Sequence, residues 1–117
     1  MKKIKVPILN NEYCVYVLLG NANETVKWVN SYYPDTHYQP NEMDEYRGNV
    51  FYQKGYYPTI ILDDKNLKKR KHFWATLAHE AIHAVNHIWD DIEEKHGEGE
   101  ELFAHSVSAI MSAVEKE

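Results

Sequence analysis

Two histidines and a glutamate form the most informative pattern in this sequence. Residues 79–83 read His-Glu-Ala-Ile-His, an H-E-x-x-H motif. On a helix this spacing places both imidazoles on one face, with Cβ atoms about 5–6 Å apart, so His79 and His83 can reach one metal ion. Neutral imidazole is a good zinc ligand. Glu80 lies about 100° further round the helix, beside such an ion, where it is placed to act as the catalytic base on a zinc-bound water.

A third ligand is needed, because a catalytic zinc site has three protein ligands and one position open to water. The candidates open the last predicted helix: Glu98, Glu100 and Glu101. On a helical wheel Glu101 shares a face with Ala104 and Ser108, and small residues let two helices approach closely. We therefore predict Glu101 as the third metal ligand, with Glu100 as the second choice.

Two further histidines accompany the motif. His87 follows His83 by one turn, but it lies about 12 Å along the helix axis from His79, which is too far for a shared ion. We predict a supporting or surface role for it. His105 follows Glu101 by one turn and is placed to orient a neighbouring ligand.

Two helices must carry these residues. From about Leu67 to Ile92 the chain has no glycine or proline, and apolar residues recur at helical spacing on most sides, which predicts a central, buried helix. A second helix is predicted from about Glu100 to Val114. Its core stripe is expected to consist of Phe103, Val107, Ile110 and Val114.

The first half of the chain is typical of short strands. Ile4–Leu9 and Tyr13–Leu19 predict a hairpin around two asparagines, and a short helix should then run from about Asn23 to a stop at Pro34. Two more β-prone runs, Asn49–Gln53 and Tyr57–Leu62, predict a second hairpin around a Lys-Gly turn.

Pro58 has no backbone N–H to donate, which favours the edge of the sheet for the Tyr57–Leu62 strand. With strands first and helices last, the order of elements indicates an α+β fold.

Composition narrows the function classes. A chain of 117 residues is the size of a single domain, 1–117, and its net charge of −5 disfavours nucleic acid as the main partner. No apolar run approaches the roughly 20 residues that span a bilayer, so no membrane partner is expected. Cys14 is the single cysteine; it cannot form an internal disulfide, and we expect a cytoplasmic protein.

The motif and its surroundings resemble a known family. Residues 76–85 resemble the extended zincin signature, in which uncharged residues flank H-E-x-x-H, and Glu101-x-x-Ala104-His105 resembles the glutamate-ligand pattern of gluzincins. The metzincin pattern does not fit, because Asn86 and Trp89 replace its glycine and third histidine. From about Tyr56 to Val114 the chain is similar to minigluzincins and to short H-E-x-x-H proteins of phages and mobile elements.

This resemblance implies a gluzincin-type zinc metallopeptidase, a hydrolase that acts on peptide or protein substrates. The strand before the active-site helix, here Tyr57–Leu62, would be the edge strand that pairs with an extended substrate. Glu80 would act as general base and then pass the proton to the leaving amine. A hydrogen-bond donor for the transition state stays open among Tyr56, Tyr57, His96 and His105.

Two other interpretations compete with the peptidase. The chain could be a zinc-binding, non-catalytic module that retains the site but acts by holding a partner, since so small a domain leaves little room for a substrate cleft. It could also be a metal-free structural domain with a buried polar His-Glu-His cluster. The non-catalytic zinc module predicts that stability depends on metal and that no peptide is cleaved. The metal-free domain predicts that chelators leave thermal stability unchanged.

Overall fold

A four-stranded mixed sheet forms the centre of the computed structural model, which describes residues 1–39, 48–63, 73–92 and 99–117. The strand order is β1-β2-β4-β3. The elements in chain order are β1 (Lys2–Ile8), β2 (Tyr13–Gly20), α1 (Ala22–Tyr32), β3 (Gly48–Phe51), β4 (Thr59–Asp63), α2 (Phe73–Asp91) and α3 (Gly99–Glu115). The α+β class predicted from the sequence is confirmed.

Both predicted hairpins are present. β1 and β2 pair antiparallel from Lys2 opposite Leu19 to Ile8 opposite Tyr13. The residues between them turn through positive φ angles of 50°, 55° and 70° at Leu9, Asn10 and Asn11, a region that asparagine tolerates better than most residues. β3 and β4 form the second antiparallel pair.

α1 begins slightly earlier than predicted. Its N-cap is Asn21, whose side chain accepts a hydrogen bond of 2.9 Å from the backbone N–H of Glu24. That bond satisfies one of the free donors of the first turn. The helix ends at Tyr32, before Pro34.

The predicted edge position of the Tyr57–Leu62 strand is wrong. β4 lies inside the sheet, parallel to β2 on one side and antiparallel to β3 on the other. The proline does not interfere, because β4 begins at Thr59 and Pro58 contributes only its carbonyl, which accepts a 3.0 Å hydrogen bond from the N–H of Tyr16. Among the described strands, β3 is therefore the edge strand next to α2.

Two apolar cores lie on the two faces of the sheet. On one face α2 and α3 pack against β1, β2 and β4, with fully buried side chains such as Leu77, Val85 and Ile110. On the other face Val26 and Val29 of α1, and Tyr33 directly after it, pack against a smaller set of strand residues. Among the described residues no helix is long and apolar enough to cross a membrane.

A buried tyrosine ties α1 to the two strands β3 and β4. The side chain of Tyr33 is fully buried, and its hydroxyl lies 3.0 Å from the carbonyl oxygen of Phe51 and 2.9 Å from Oγ1 of Thr59; it also contacts the carbonyl of Tyr57. Burial raises the pKa of this phenol far above its ordinary value. The hydroxyl therefore stays neutral and contacts three polar groups that are shielded from solvent.

Replacing Tyr33 by Phe should lower the free energy of unfolding by about 1–3 kcal/mol, because it leaves buried acceptors without a donor. Urea unfolding measures the difference. Tyr38→Phe is the matched control, since Tyr38 is 37% exposed. Equal stability of the two variants would contradict the structural role of the Tyr33 hydroxyl.

Candidate metal centre

The histidines of the motif lie on the outward side of α2. Seven residues of this helix are buried, and they form the side that packs on the sheet and on α3: Phe73, Leu77, Ala81, Ala84, Val85, Ile88 and Trp89. His79 and His83 lie on the opposite, exposed side. The helical period that buries the apolar stripe thus presents both imidazoles to solvent.

The two imidazoles converge on one point. Nε2 of His79 and Nε2 of His83 are 3.1 Å apart, and the rings meet edge to face with centroids 4.6 Å apart. Two nitrogens bound at about 2.05 Å to one tetrahedral zinc would be roughly 3.3 Å apart. The observed pair therefore fits two ligands of a single zinc ion with little rearrangement.

Glu80 lies close to the start of β3. Its side chain is half-buried, and burial raises the pKa of its carboxyl, against the lowering effect of His79 and His83. A Cβ added to Gly48, the first residue of β3, would lie 3.3 Å from Cγ of Glu80 and 2.8 Å from Cδ2 of Leu62. Glycine at this position thus lets β3 approach the glutamate closely.

β3 runs along α2 from the glutamate towards the end of the helix. Gly48 lies beside Glu80, and four residues later the ring of Tyr52 stacks on His87, with centroids 4.3 Å apart and planes 13° from parallel. The Tyr52 hydroxyl donates to the carboxylate of Asp91. Burial lowers the pKa of His87, so this imidazole supports the aromatic stack rather than carrying charge. The contact with Tyr52 does not test the role predicted for His87, which stays a prediction.

Glu101 lies on the solvent side of α3. It is 86% exposed, and its carboxylate is 3.3 Å from Nε2 of His105, which is 72% exposed. The expectation that the face with Ala104 and Ser108 packs against α2 is wrong, because both residues are exposed. The apolar side of α3, with Ile110 and Val114 fully buried, makes the contact instead.

The described residues therefore bring together two of the three predicted ligands, His79 and His83. Among them, no group of three His, Cys, Asp or Glu side chains is close enough to hold a metal ion. Glu98 and the side chain of Glu100 lie outside the described residues, as does His96. The choice of Glu101 as third ligand stays a prediction.

The tyrosines considered as transition-state donors lie elsewhere in the fold. Tyr56 packs edge to face on Tyr32 and Tyr33, with ring centroids 5.6 and 6.0 Å away. Tyr57 packs against Tyr16, 6.3 Å away between ring centroids. These contacts place both tyrosines in the aromatic cluster near α1, and His105 in the pair with Glu101.

Sequence reasoning missed the contribution of β3 to the site. Gly48 and Tyr52 have no local signal of function, since their proximity to Glu80 and His87 arises from how β3 packs beside α2. The alternation of a strand does hold a clue: positions 48, 50 and 52 share one face, and that face turns out to meet the helix.

The model of the SprT-like family matches residues 16–117, a span that includes most of the sheet and the whole of α2 and α3. The chain belongs to the SprT-like family. SprT-like domains are zincin-like and related to metallopeptidases, which confirms the general class predicted from the H-E-x-x-H motif. The resemblance noted from the sequence starts at about Tyr56. The family match starts earlier in the chain, within β2. Neither a curated protein nor a solved structure matches the chain significantly.

Proposed function

We propose that this SprT-like protein is a zinc-dependent peptidase of the gluzincin type, which hydrolyses peptide bonds in the cytoplasm. The observation that carries the proposal is the convergence of two exposed imidazole nitrogens, 3.1 Å apart, beside a half-buried glutamate. Membership of a zincin-like, metallopeptidase-related family supports it. Cys14, the single cysteine, is buried and unbridged, which suits a reducing compartment.

His79 and His83 would hold the ion through their Nε2 atoms, and Glu101 is our proposal for the third ligand. When bound, zinc supplies a Lewis acid that polarises a carbonyl and lowers the pKa of water. Glu80 lies one position round the helix from the first ligand and is free of a ligand's role. Its carboxylate takes the proton from the attacking water and delivers it to the leaving amine.

β3 gives the proposal a place for the substrate. It is an edge strand of the described sheet, it borders α2, and its first residue lies against Glu80. An extended peptide that adds to this edge would run past Glu80, held by backbone hydrogen bonds that do not depend on its side chains. β3 thus takes the role that the sequence predicted for the strand directly before α2.

The proposal is tested by metal exchange. Protein freed of metal with a chelator should not cleave fluorescein-labelled casein, an unfolded protein, and addition of one equivalent of zinc should restore cleavage. Unfolding should shift to a higher temperature in the same titration, because a ligand that binds only the folded state stabilises it.

The two readouts separate the competing interpretations. Stabilisation by zinc without cleavage would reject the peptidase and favour the non-catalytic zinc module. Stability that is unchanged by both chelator and zinc would reject the metal site altogether and leave a metal-free structural domain.

A further inference from the structure

The edge strand β3 carries a hydrogen bond within its own chain. Oδ1 of Asn49 accepts a bond of 2.8 Å from the backbone N–H of Val50, the next residue. Both residues are half-buried. A strand N–H normally donates to a neighbouring strand or to water, so this side chain occupies a position that another acceptor would take.

The register shows which way that N–H points. In an antiparallel pair, two residues directly opposite each other exchange either two hydrogen bonds or none. Val50 is opposite Ile60 of β4. Because the Val50 N–H is bound to Asn49, we assign Val50 and Ile60 to a pair without ladder bonds, whose N–H and C=O groups point away from each other. The Val50 backbone therefore faces the outer edge of the sheet as the described strands form it.

This edge position lies close to the proposed catalytic base. Gly48 and Val50 share the face of β3 that meets α2, and Gly48 lies against Glu80. Two residues of strand span about 6.6 Å. A substrate residue opposite Val50 would thus be within one or two positions of the bond that Glu80 acts on, where backbone hydrogen bonds set the alignment of the scissile carbonyl.

We propose that Asn49 is a positioning residue that caps the substrate-binding edge: its amide oxygen occupies the Val50 N–H in the free protein, and a substrate carbonyl must displace it. This inference rests on the proposed peptidase function. The cap satisfies an N–H that would otherwise be open to pairing with other strands, and so it also reduces indiscriminate edge-to-edge association. Its displacement lowers the affinity for substrate without touching the chemical step.

Asn49→Ala should therefore bind substrate more tightly. For labelled casein we expect KM to fall roughly 3- to 10-fold, the equivalent of one neutral hydrogen bond, while kcat stays unchanged. Asn49→Gln should behave like Ala, because one extra methylene moves its amide out of register with the Val50 N–H. Asn49→Asp keeps an acceptor in place and should give a KM equal to or above that of the wild type, since a charged acceptor binds the N–H more strongly.

Hydrogen exchange at the Val50 amide tests the cap in the free protein. Exchange measured by NMR should become roughly 3- to 10-fold faster in Asn49→Ala and Asn49→Gln, and it should not become faster in Asn49→Asp. A merely structural role of Asn49 would change the unfolding temperature and leave the KM series flat. Unchanged exchange at Val50, or a KM that rises in Asn49→Ala, overturns the inference.

Binding to an inactive variant separates this inference from the proposed function. In zinc-loaded protein that carries Glu80→Gln, the anisotropy of fluorescein-labelled casein should show tighter binding when Asn49→Ala is added. Binding that is measurable but no tighter defeats the cap and leaves the peptidase standing. No binding with either residue at position 49, together with no cleavage by the wild type, defeats both.

Discussion

Glu80→Gln should reduce the turnover of peptide substrates by roughly 100- to 10,000-fold while zinc remains bound, because the change removes the proposed general base and leaves both imidazoles in place. Gln has nearly the shape of Glu and fits the same half-buried position beside Gly48. The measurement is kcat/KM for labelled casein, with the zinc content of each preparation determined by mass spectrometry. The loss should appear in kcat, since the base acts only in the chemical step.

Asp90→Asn is the matched control for this variant. It also replaces one carboxylate of α2 by an amide, but Asp90 is exposed on the last turns of the helix, away from the motif. We expect its turnover to be that of the wild type. Full activity of Glu80→Gln would remove Glu80 from the mechanism and with it the proposed gluzincin-type chemistry.

Measuring the free energy of unfolding of Glu80→Gln distinguishes a loss of turnover from a loss of fold. Burial in the folded protein raises the pKa of Glu80 above its unfolded value, so ionisation of this carboxyl lowers the free energy of unfolding as the pH rises above the unfolded pKa. In the zinc-free protein, Glu80→Gln should therefore be at least as stable as the wild type at pH 7. The difference should disappear as the pH falls below about 4.3, where the carboxyl is protonated in both states.

The elements of the fold were largely predictable because local patterns specify them. The apolar period of 3.6 residues located α2 and α3, and the β-prone runs around Asn10 and Gly55 located both hairpins. The strand order was not predictable in the same way. Pro58 suggested an edge position, but its missing N–H has no consequence at a residue that precedes β4, and only the pairing with β2 reveals this.

The residues of the candidate site were likewise predictable where local sequence determines their geometry, and not where packing between helices determines it. His79, Glu80 and His83 lie within one helical turn, so their mutual geometry follows from helix spacing alone. The relation of Glu101 to them depends on how α3 rotates about its own axis. The small-residue face looked suited to close packing, yet burial of Ile110 and Val114 contributes more free energy and turns Glu101 outward. A helical wheel shows the two faces of α3 but not how much free energy each face gains by packing against the rest of the protein.

His83→Ala should lower zinc affinity by more than about 100-fold, since even the loss of an outer partner of a ligand costs about 10- to 100-fold. His79→Ala should behave in the same way, because the two nitrogens would share one ion. Competition with a zinc-binding dye measures the affinity. His37→Ala removes an exposed imidazole far along the chain from the motif and serves as the control that should keep wild-type affinity.

The same titration identifies the third ligand. Glu101→Ala should weaken zinc binding as much as His83→Ala if Glu101 completes the site, which requires its carboxylate to leave His105 and turn towards α2. An affinity that survives Glu101→Ala moves the role to Glu100, Glu98 or a histidine, and Glu100→Ala, Glu98→Ala and His96→Ala then distinguish these donors. Wild-type affinity in both His79→Ala and His83→Ala would contradict the metal centre itself, because the proposed site rests on these two converging imidazoles.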